Sequence, residues 1–382
     1  MREEPTVERE IPEGFEPDAI AAPPAPIRGR GAVDNPSGRY EASARRLDDA
    51  ADLAGRKTVV RPLAVREAMS RNESPDVPFD RAVNPYRGCE HGCIYCFARP
   101  DHAYLGQSPG LDFEQVIFAK HDVVAALRRQ WARPGYVPAT LALGASTDPY
   151  QPVESDLRLT RGVLELALQC GHPVGIVTKS HRVLADLDVL QALAARGLVR
   201  VFLSVTSLDA GLQRTLEPRA AAPHARIRAI AALAEAGVPV GVLAAPMIPA
   251  VNDAELEAIL QAAREAGASS AGWILLRLPR EVGPLFEGWL QAWMPERKAR
   301  VLALLRGARG GELYDARFGV RMRGEGAYAT LLAQRFELAR RRLGFPTEVP
   351  ALTTAAFMAP ERPSNPSKPG KPAAGGRQLD LF

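Results

Sequence analysis

The feature that most restricts the fold of this chain is a regular alternation of short apolar runs with longer amphipathic runs between about residues 78 and 280. The short runs predict buried strands around 82–83 and at 139–145, 174–178, 199–205, 238–245 and 272–278. The longer runs predict helices at 121–131, 157–170, 183–196, 222–236 and 253–266. Strand–helix repetition of this kind produces a parallel sheet with right-handed crossovers. We therefore expect an α/β fold in which six strands with outer helices form a partial (β/α)6 barrel.

The segments on either side of this region have a different composition. Residues 1–56 are rich in Pro, Glu, Arg and Gly, so we expect a mostly disordered N-terminal arm. Within it, 28–32 could contact phosphate, although the stretch is more typical of a solvated arm. The barrel would then occupy 57–280, and residues 347–382 would form a flexible tail. Between them, 281–346 predicts a helical extension that could close the open side of the barrel, with helices at 284–293, 296–306 and 326–343.

Composition excludes some classes of protein. No apolar stretch in the 382 residues reaches the length of a membrane span, and an apolar content of 46% is ordinary for a globular protein. The net charge of +4 permits contact with nucleic acid without predicting it. We recognise no signal peptide, so we expect a cytoplasmic protein in a reducing compartment.

Three of the four cysteines lie in one short loop, Cys89-Glu90-His91-Gly92-Cys93-Ile94-Tyr95-Cys96. Three thiolates at this C-x3-C-x2-C spacing can each bind one iron of a [4Fe-4S] cluster and leave the fourth iron open to another ligand. Structural zinc usually needs four ligands in two spaced pairs, and a fourth ligand from His91 or His102 fits no common zinc module. A disulfide between such close neighbours would be strained. We therefore predict that Cys89, Cys93 and Cys96 bind an iron–sulfur cluster.

The fourth cysteine has a plainer interpretation. Cys170 ends the predicted helix 157–170 and precedes a turn at 171–173. Free cysteines commonly behave as small buried apolar residues. In the predicted barrel, the end of this helix lies at the opposite end from the cysteine loop.

The run from Asn84 to Cys96 resembles the signature of radical S-adenosylmethionine (SAM) enzymes, and its flanks resemble the bacterial branch related to spore photoproduct lyase. The resemblance covers roughly 57–346 and implies the same barrel. It also implies a [4Fe-4S] cluster, SAM as second cofactor, and an electron donor such as flavodoxin or ferredoxin. The implied chemistry is reductive cleavage of SAM to a 5′-deoxyadenosyl radical that takes hydrogen from a substrate, in a lyase-like or other reaction.

Polar residues at the predicted strand ends are candidates to bind SAM, because ligands of parallel α/β barrels lie at the carboxyl ends of the strands. After the second strand, Ser146, Thr147 and Asp148 replace the Gly-Gly-Glu string of most radical SAM enzymes and could bind the methionine ammonium. After the third, Lys179 could pair with the methionine carboxylate. The hydroxyls of Ser204 and Thr206 share one face of the fourth strand and could contact the ribose. A plain turn and a surface charge are the alternatives for 146–148 and Lys179.

The resemblance adds further candidates. It implies that Tyr95 packs near the adenine, that Arg219 faces the pocket, and that backbone groups around Met247 hold the adenine. Asn252 either belongs to this group or caps the next helix. The oxidisable tyrosines near the site are Tyr86, Tyr95, Tyr104 and Tyr150, of which we select Tyr95 and Tyr150 as catalytic candidates.

One departure from the lyase is informative. The lyase relies on a cysteine near the pocket as hydrogen donor, whereas no cysteine stands near Ser146 or Thr147 here. We therefore do not expect this chain to repair spore photoproduct by that route. A nucleic-acid-linked substrate is our leading hypothesis, and a protein or small-molecule substrate is the alternative.

The last five residues, Gln378-Leu379-Asp380-Leu381-Phe382, resemble the peptide with which bacterial DNA polymerases and repair proteins bind the β sliding clamp. Leu381 and Phe382 would fill an apolar pocket, and Gln378 would add hydrogen bonds. The alternatives are a tail that folds back on its own surface and a chance match. Clamp binding would bring the enzyme to DNA, or would define a non-catalytic iron–sulfur protein that docks on the clamp.

Overall fold

The computed structural model describes residues 26–40 and 57–361. Within these residues the strands β1 to β10 are Val59–Pro62, Met69–Arg71, Arg81–Val83, Tyr86–Arg87, Val116–Ala119, Leu141–Leu143, Val174–Thr178, Val199–Ser204, Val240–Met247 and Ser270–Leu275. The helices α1 to α11 are Asp112–Gln115, Val123–Trp131, Glu154–Leu157, Leu159–Cys170, Leu187–Ala194, Ala210–Leu216, Pro223–Glu235, Leu256–Glu265, Val282–Trp293, Pro295–Gly307 and Gly326–Arg342. Short 3-10 helices are Arg99–Leu105, His181–Asp186 and Asp253–Glu255.

The main sheet has seven strands in the order β10-β9-β8-β7-β6-β3-β2. The six strands from β3 to β10 in this order are parallel, and β2 pairs antiparallel with β3 at the edge. Each parallel neighbour is also the next strand of the sheet along the chain, with at least one helix between them. This confirms the predicted α/β fold, a partial barrel of six parallel strands followed by a helical C-terminal region.

The strand and helix patterns of the sequence correspond to real packing. In α2, the buried residues Val123, Ala126, Leu127, Gln130 and Trp131 recur at the i, i+3, i+4, i+7 and i+8 positions of one helix face. β7 alternates buried and half-buried residues, as expected for a strand with one face in the core. Each fully buried Val or Leu contributes about 1.5–3 kcal/mol, so this core supplies most of the stability of the barrel.

A second, three-stranded sheet was not predicted. β1 pairs parallel with β5, and β5 pairs antiparallel with β4. The sequence contained little signal for it, because β4 has only two residues and all four residues of β1 are exposed. This small sheet lies next to the cysteine loop, because β4 ends two residues before Cys89.

The C-terminal region bridges the two edges of the main sheet. At the β10 edge, the Leu275 amide donates to the Met322 carbonyl (3.0 Å), and Arg309 donates to the Leu276 carbonyl (2.9 Å). At the other edge, Arg321 forms an ion pair of 2.5 Å with Asp76 in the turn between β2 and β3. Residues 309–325 therefore span the open side of the barrel, the place suggested for this extension by the sequence.

Residues 26–40 belong to the arm that we expect to be mostly disordered, and they pack against the barrel. Ile27 and Ala32 are buried in the same apolar cluster as Phe286 and Trp289 of α9. Gly31 allows the close approach, since a Cβ there would lie 1.8 Å from the Gly92 carbonyl oxygen. Residues 1–25 and 41–56 lie outside the described part of the chain.

Among the helices of residues 26–40 and 57–361, none combines the length with the apolar character that a membrane-spanning segment needs.

Candidate active site

The cysteine loop follows β3 at the carboxyl end of the barrel. Its turns are closed by backbone hydrogen bonds from Gly92 to Cys89 (3.3 Å) and from Cys96 to Cys93 (3.2 Å). Gly88 and Gly92 have φ values of +79° and +67°, which side chains rarely adopt, so the backbone before Cys89 and at the end of the first turn requires glycine. The loop brings three free thiols together, with Cys89 and Cys93 buried and Cys96 more exposed.

A buried ion pair between Arg99 and Glu114 stabilises the backbone of the cysteine loop. Arg99 is fully buried and donates to the carbonyls of Cys93 (2.9 Å) and Gly92 (3.2 Å). Its guanidinium also contacts Glu114 at 2.5 Å. Arg99 and Glu114 were not predicted from the sequence, because neither residue belongs to a recognised motif or to a periodic pattern.

The same carboxylate holds the N-terminal segment. Glu114 accepts hydrogen bonds from the amides of Ala32 (2.8 Å) and Gly31 (3.1 Å). Glu114 and Arg99 together thereby link residues 26–40 to the cysteine loop.

The donor set of the loop fits an iron–sulfur cluster. In the described residues, no three His, Cys, Asp or Glu side chains converge as the ligands of a single metal ion would. A [4Fe-4S] cluster does not require that convergence, because each thiolate binds a different iron. Burial raises the pKa of all three thiols, and Lys179 opposes the rise at Cys93 and Cys96. Metal binding supplies the positive charge that buried thiolates need.

Lys179 follows β7 and points toward the cysteine loop. Its ammonium donates to the Ser204 hydroxyl (3.1 Å) and lies 5.8 Å from the centre of the Tyr95 ring. Within residues 26–40 and 57–361, no carboxylate forms an ion pair with this ammonium. Three predicted site residues, Lys179, Ser204 and Tyr95, are thus brought together with Cys93 and Cys96.

In the loop after β6, some polar groups are hydrogen-bonded within the protein and others remain available to a ligand. Asn84 accepts from the Ser146 amide (3.0 Å), and Thr147 donates to the Tyr86 carbonyl (2.8 Å). The Ser146 hydroxyl makes no hydrogen bond to the described residues and is half-exposed. Among the predicted ammonium ligands, Ser146 is therefore the one whose side chain makes no hydrogen bond to the described residues.

The Asp148 side chain contacts other residues of the protein on several sides. Its carboxylate accepts from the Thr178 hydroxyl (2.7 Å) and the Lys179 amide (2.7 Å), and lies 3.3 Å from His91. Burial opposes ionisation, but His91, Lys179 and Thr178 outweigh it and lower the pKa of Asp148 to about 2. Asp148 joins β6, β7 and the cysteine loop, an arrangement that favours positioning over contact with SAM.

A buried network holds the Tyr95 ring. The Tyr95 hydroxyl donates to Glu217 and lies 3.1 Å from the Thr206 hydroxyl, which itself donates to Glu217 (2.5 Å). Arg226 forms an ion pair with the other oxygen of Glu217 and donates to the Ser204 carbonyl (2.9 Å). Glu217 and Arg226 were not predicted as site residues.

Comparison with known proteins decides the family. A sequence model described as the radical SAM superfamily matches residues 83–263. Uncharacterized proteins of Mycobacterium tuberculosis and Mycobacterium bovis are each 36% identical over 232 residues, 60% of this chain and 68% of each relative. An uncharacterized protein of Methanocaldococcus jannaschii is 25% identical over 173 residues, 45% of this chain and 62% of the relative.

The chain belongs to the radical SAM superfamily. Members of this superfamily are enzymes that use a [4Fe-4S] cluster with SAM and require a reductant, as the sequence indicated. Among solved structures, spore photoproduct lyase complexed with dinucleoside spore photoproduct has a TM-score of 0.56 at 16% identity, covering 80% of this chain and 86% of the lyase. A variant of that lyase with bound AdoMet and the same dinucleoside has a TM-score of 0.54 at 18% identity, covering 79% and 85%. This similarity shows a shared fold.

Some predicted residues of this radical SAM protein have other partners. Arg219 binds Glu90 (3.0 Å) and Thr58 (3.1 Å) on the outer side of the cysteine loop. The Met247 side chain is buried in the core, and its carbonyl accepts from the Leu276 amide (2.9 Å). These contacts indicate that Arg219 stabilises the cysteine loop and that Met247 stabilises the end of β9.

Asn252 does not cap a helix with its side chain. It donates to the Thr206 carbonyl (2.6 Å) and the Pro246 carbonyl (3.0 Å), and accepts from the Ile248 amide (2.6 Å). A fully buried amide thus joins the ends of β8 and β9. The capping alternative considered for this residue was wrong.

The other tyrosines considered as oxidisable residues, and Cys170, differ in burial and in position relative to the cysteine loop. Tyr150 is buried and donates to Asp186 (3.1 Å), Tyr86 donates to Glu154, and Tyr104 is exposed. Cys170 ends α4, and its carbonyl accepts from the Met358 amide (2.8 Å). Since α4 ends just before β7 begins, Cys170 lies at the amino end of the strands, opposite the cysteine loop.

Proposed function

We propose that this enzyme binds a [4Fe-4S] cluster on Cys89, Cys93 and Cys96 and cleaves SAM reductively beside it. The observation that carries the proposal is the position of Lys179, whose ammonium lies 5.8 Å from the centre of the Tyr95 ring. Tyr95 stands between Cys93 and Cys96 in the sequence. When bound, the two cofactors would supply a 5′-deoxyadenosyl radical that takes hydrogen from the substrate.

The chain's own residues bind and orient SAM in this proposal. Lys179 pairs with the methionine carboxylate, because its charge is free for a ligand. Ser146 accepts a hydrogen bond from the methionine ammonium through its available oxygen. Tyr95 offers its ring face to the adenosyl group, and Glu217 and Thr206 prevent the ring from turning.

The first experiment tests cluster and SAM together. The full chain is reconstituted without oxygen and reduced, and its EPR spectrum is recorded with and without SAM beside an assay for 5′-deoxyadenosine. We expect a [4Fe-4S]⁺ signal that changes on SAM addition, with 5′-deoxyadenosine formed. Cys93→Ser should lose both, and the matched control Cys170→Ser should keep both. A cluster that ignores SAM, or bound zinc, would contradict the proposal.

We further propose a nucleic-acid-linked substrate. Phe97 follows Cys96 directly, is 43% exposed, and lies 4.8 Å beneath the Arg277 guanidinium at the end of β10. Phe318 is 58% exposed beneath Arg321 (4.7 Å) in the segment that bridges the barrel. Exposed rings suit base stacking, and the Arg277 guanidinium over Phe97 suits phosphate contact, whereas Arg321 is held by Asp76. The fold shared with a lyase solved with a dinucleoside photoproduct is consistent with this class.

Oligonucleotide binding tests the substrate class. We expect Phe97→Ala to weaken binding of a single-stranded DNA oligonucleotide about 5- to 100-fold, because one stacked base contributes about 1–3 kcal/mol. Val137→Ala, also at an exposed apolar residue, should have no effect. Equal binding by both variants, or 5′-deoxyadenosine formation stimulated only by a protein or small molecule, would refute a nucleic-acid substrate.

The C-terminal peptide supplies a separate proposal. Gln378, Leu379, Asp380, Leu381 and Phe382 lie outside the described residues, so it depends on sequence alone. Calorimetric titration of the β sliding clamp with the full chain should show binding that is lost in Leu381→Ala/Phe382→Ala. An unchanged affinity would exclude this peptide as the contact. Binding by a chain that forms no 5′-deoxyadenosine would favour a non-catalytic clamp protein.

A further inference from the structure

A cleft of about 540 Å³ lies beside the cysteine loop, and we call it the outer cleft. It is formed by residues 26–30, by Trp293 at the end of α9, and by four residues in and after α6, namely Gly211, Arg214, Thr215 and Pro218. None of the predicted SAM ligands lines it. The cleft is therefore distinct from the face on which Lys179 approaches Tyr95.

Only one layer of chain separates the outer cleft from the cysteine loop. The Ile94 amide donates to the Leu216 carbonyl (3.0 Å), and the Arg219 amide donates to the His91 carbonyl (3.2 Å). A Cβ on Gly92 would lie 3.4 Å from the Pro218 ring. The other wall of the cleft is the segment whose Gly31 packs against Gly92. An external molecule in the cleft would stand close to the cluster ligands.

The outer cleft carries positive charge around an apolar centre. Arg28 and Arg214 are exposed, and the described residues place no carboxylate in an ion pair with either of them. Asp209 lies near the cleft and caps α6 by accepting a hydrogen bond from the Gly211 amide (2.6 Å). Trp293 is 41% exposed at the same cleft. Tryptophan and arginine are the residues that most often dominate protein–protein binding energy, and a basic patch steers acidic partners.

We propose that the outer cleft is the docking site of an acidic one-electron carrier protein that reduces the cluster. This inference rests on the proposed function, since only a redox cluster needs such a partner. In the step, the reduced carrier loses one electron and the cluster gains it, and no bond forms or breaks. Electron transfer slows steeply with distance, and the outer cleft offers an approach through a single layer of chain without entering the SAM site.

Charge reversal tests the docking site, with reduced flavodoxin as the probe and dithionite as a small reductant that needs no docking. We expect Arg28→Glu/Arg214→Glu to lower the rate of cluster reduction by flavodoxin at least about tenfold at low salt. Dithionite should reduce this variant, and support 5′-deoxyadenosine formation, as in the wild type. The matched control Arg129→Glu/Arg341→Glu changes the net charge equally at exposed arginines away from the cleft.

The outcomes separate the two proposals. If dithionite yields no 5′-deoxyadenosine with the wild type, the proposed function fails and the docking inference fails with it. If dithionite works but flavodoxin reduces the cleft variant as fast as the control, or does not reduce the wild type, only the docking inference is overturned. Trp293→Ala gives a second variant that keeps the charge, and it should also slow flavodoxin but not dithionite.

Discussion

Lys179 and Asp148 follow neighbouring strands, yet the structure uses their charges differently. Asp148 is surrounded by donors from β7 and from the cysteine loop, so its charge serves the fold. Lys179 has a serine hydroxyl and an aromatic face as neighbours, so its charge remains available. Residue type at a strand end is therefore insufficient to assign a ligand, because the surrounding partners decide whether a group is free.

Replacing Lys179 tests its availability directly. We expect Lys179→Met to raise the Kd for SAM about 10- to 100-fold, since a charged hydrogen bond contributes about 1.5–3 kcal/mol. Iron content should not change, because Lys179 is not a cluster ligand. Anaerobic calorimetry with SAM measures this. Lys298→Met on α10 is the control, and equal affinities of the two variants would remove Lys179 from the SAM site.

His172 gives a pH dependence far from the site. Its ring stacks on Trp131 with centres 4.2 Å apart, and its nitrogens contact the Tyr136 hydroxyl (2.8 Å) and the Pro173 carbonyl (3.1 Å). Burial lowers the pKa of His172 from 6.5 to about 4. Between these values the unfolded chain takes up a proton that the folded protein does not, so stability falls as pH decreases through 6.5.

The effect of His172 can be isolated with a variant that cannot titrate. From pH 7 to pH 5, the wild type should lose about 2 kcal/mol more of its free energy of unfolding than His172→Phe does. Urea unfolding followed by circular dichroism at both pH values measures the difference. The exposed His121→Gln serves as control and should behave like the wild type. Parallel losses in the wild type and His172→Phe would show that His172 does not carry this dependence.

At the scale of elements, the cysteine loop depends on segments distant in sequence. Glu114 precedes β5, Arg99 begins a 3-10 helix, and Gly31 belongs to the N-terminal segment, yet all three contact the loop or each other. The conformation of the cysteine loop therefore depends on three separate segments that pack against it or against each other. The composition of 1–56 pointed to disorder because a short anchoring stretch has no periodicity.

A methyl group at Gly31 should disturb this packing. Its Cβ would lie 1.8 Å from the Gly92 carbonyl oxygen, so the segment or the loop must shift. We expect Gly31→Ala to destabilise the protein by about 1–3 kcal/mol, as for other overpacked sites, and to hasten loss of iron to a chelator. Gly307→Ala is the control, because no atom lies within 4 Å of its added Cβ. Iron retention equal to that of the control would show that the segment does not protect the cluster.

At the scale of the whole molecule, the partial barrel is closed by a non-repetitive segment. Residues 309–325 connect the β10 edge with the turn between β2 and β3 through Met322, Arg321 and Asp76. The helices before and after this segment were predicted from their periodicity. The closure itself was suggested only as a possibility, because the contacts join residues about 245 positions apart.

Removing the charge of Asp76 tests the closure. We expect Asp76→Asn to speed hydrogen exchange of the Leu275 and Gly319 amides about tenfold or more, because the bridging segment would open locally. Amides in the core of β8 should keep their protection. The control Glu67→Gln breaks an exposed ion pair with Arg133 and should leave exchange unchanged. Unaltered exchange in Asp76→Asn would show that the segment stays closed without this ion pair.

The sequence by itself determined the six parallel strands, the main helices, the cysteine loop and the family, because each depends on local periodicity or on spacing within a few residues. Tertiary structure alone decided which polar groups remain free, as for Ser146 and Lys179, and which are consumed, as for Asp148 and Arg219. It also revealed Glu217, Arg226, Arg99 and Glu114, whose buried charges are stable only beside partners distant in sequence. The physical reason is that a hydrogen bond or ion pair depends on proximity in space, which strand order and loop packing create and no short stretch of sequence contains.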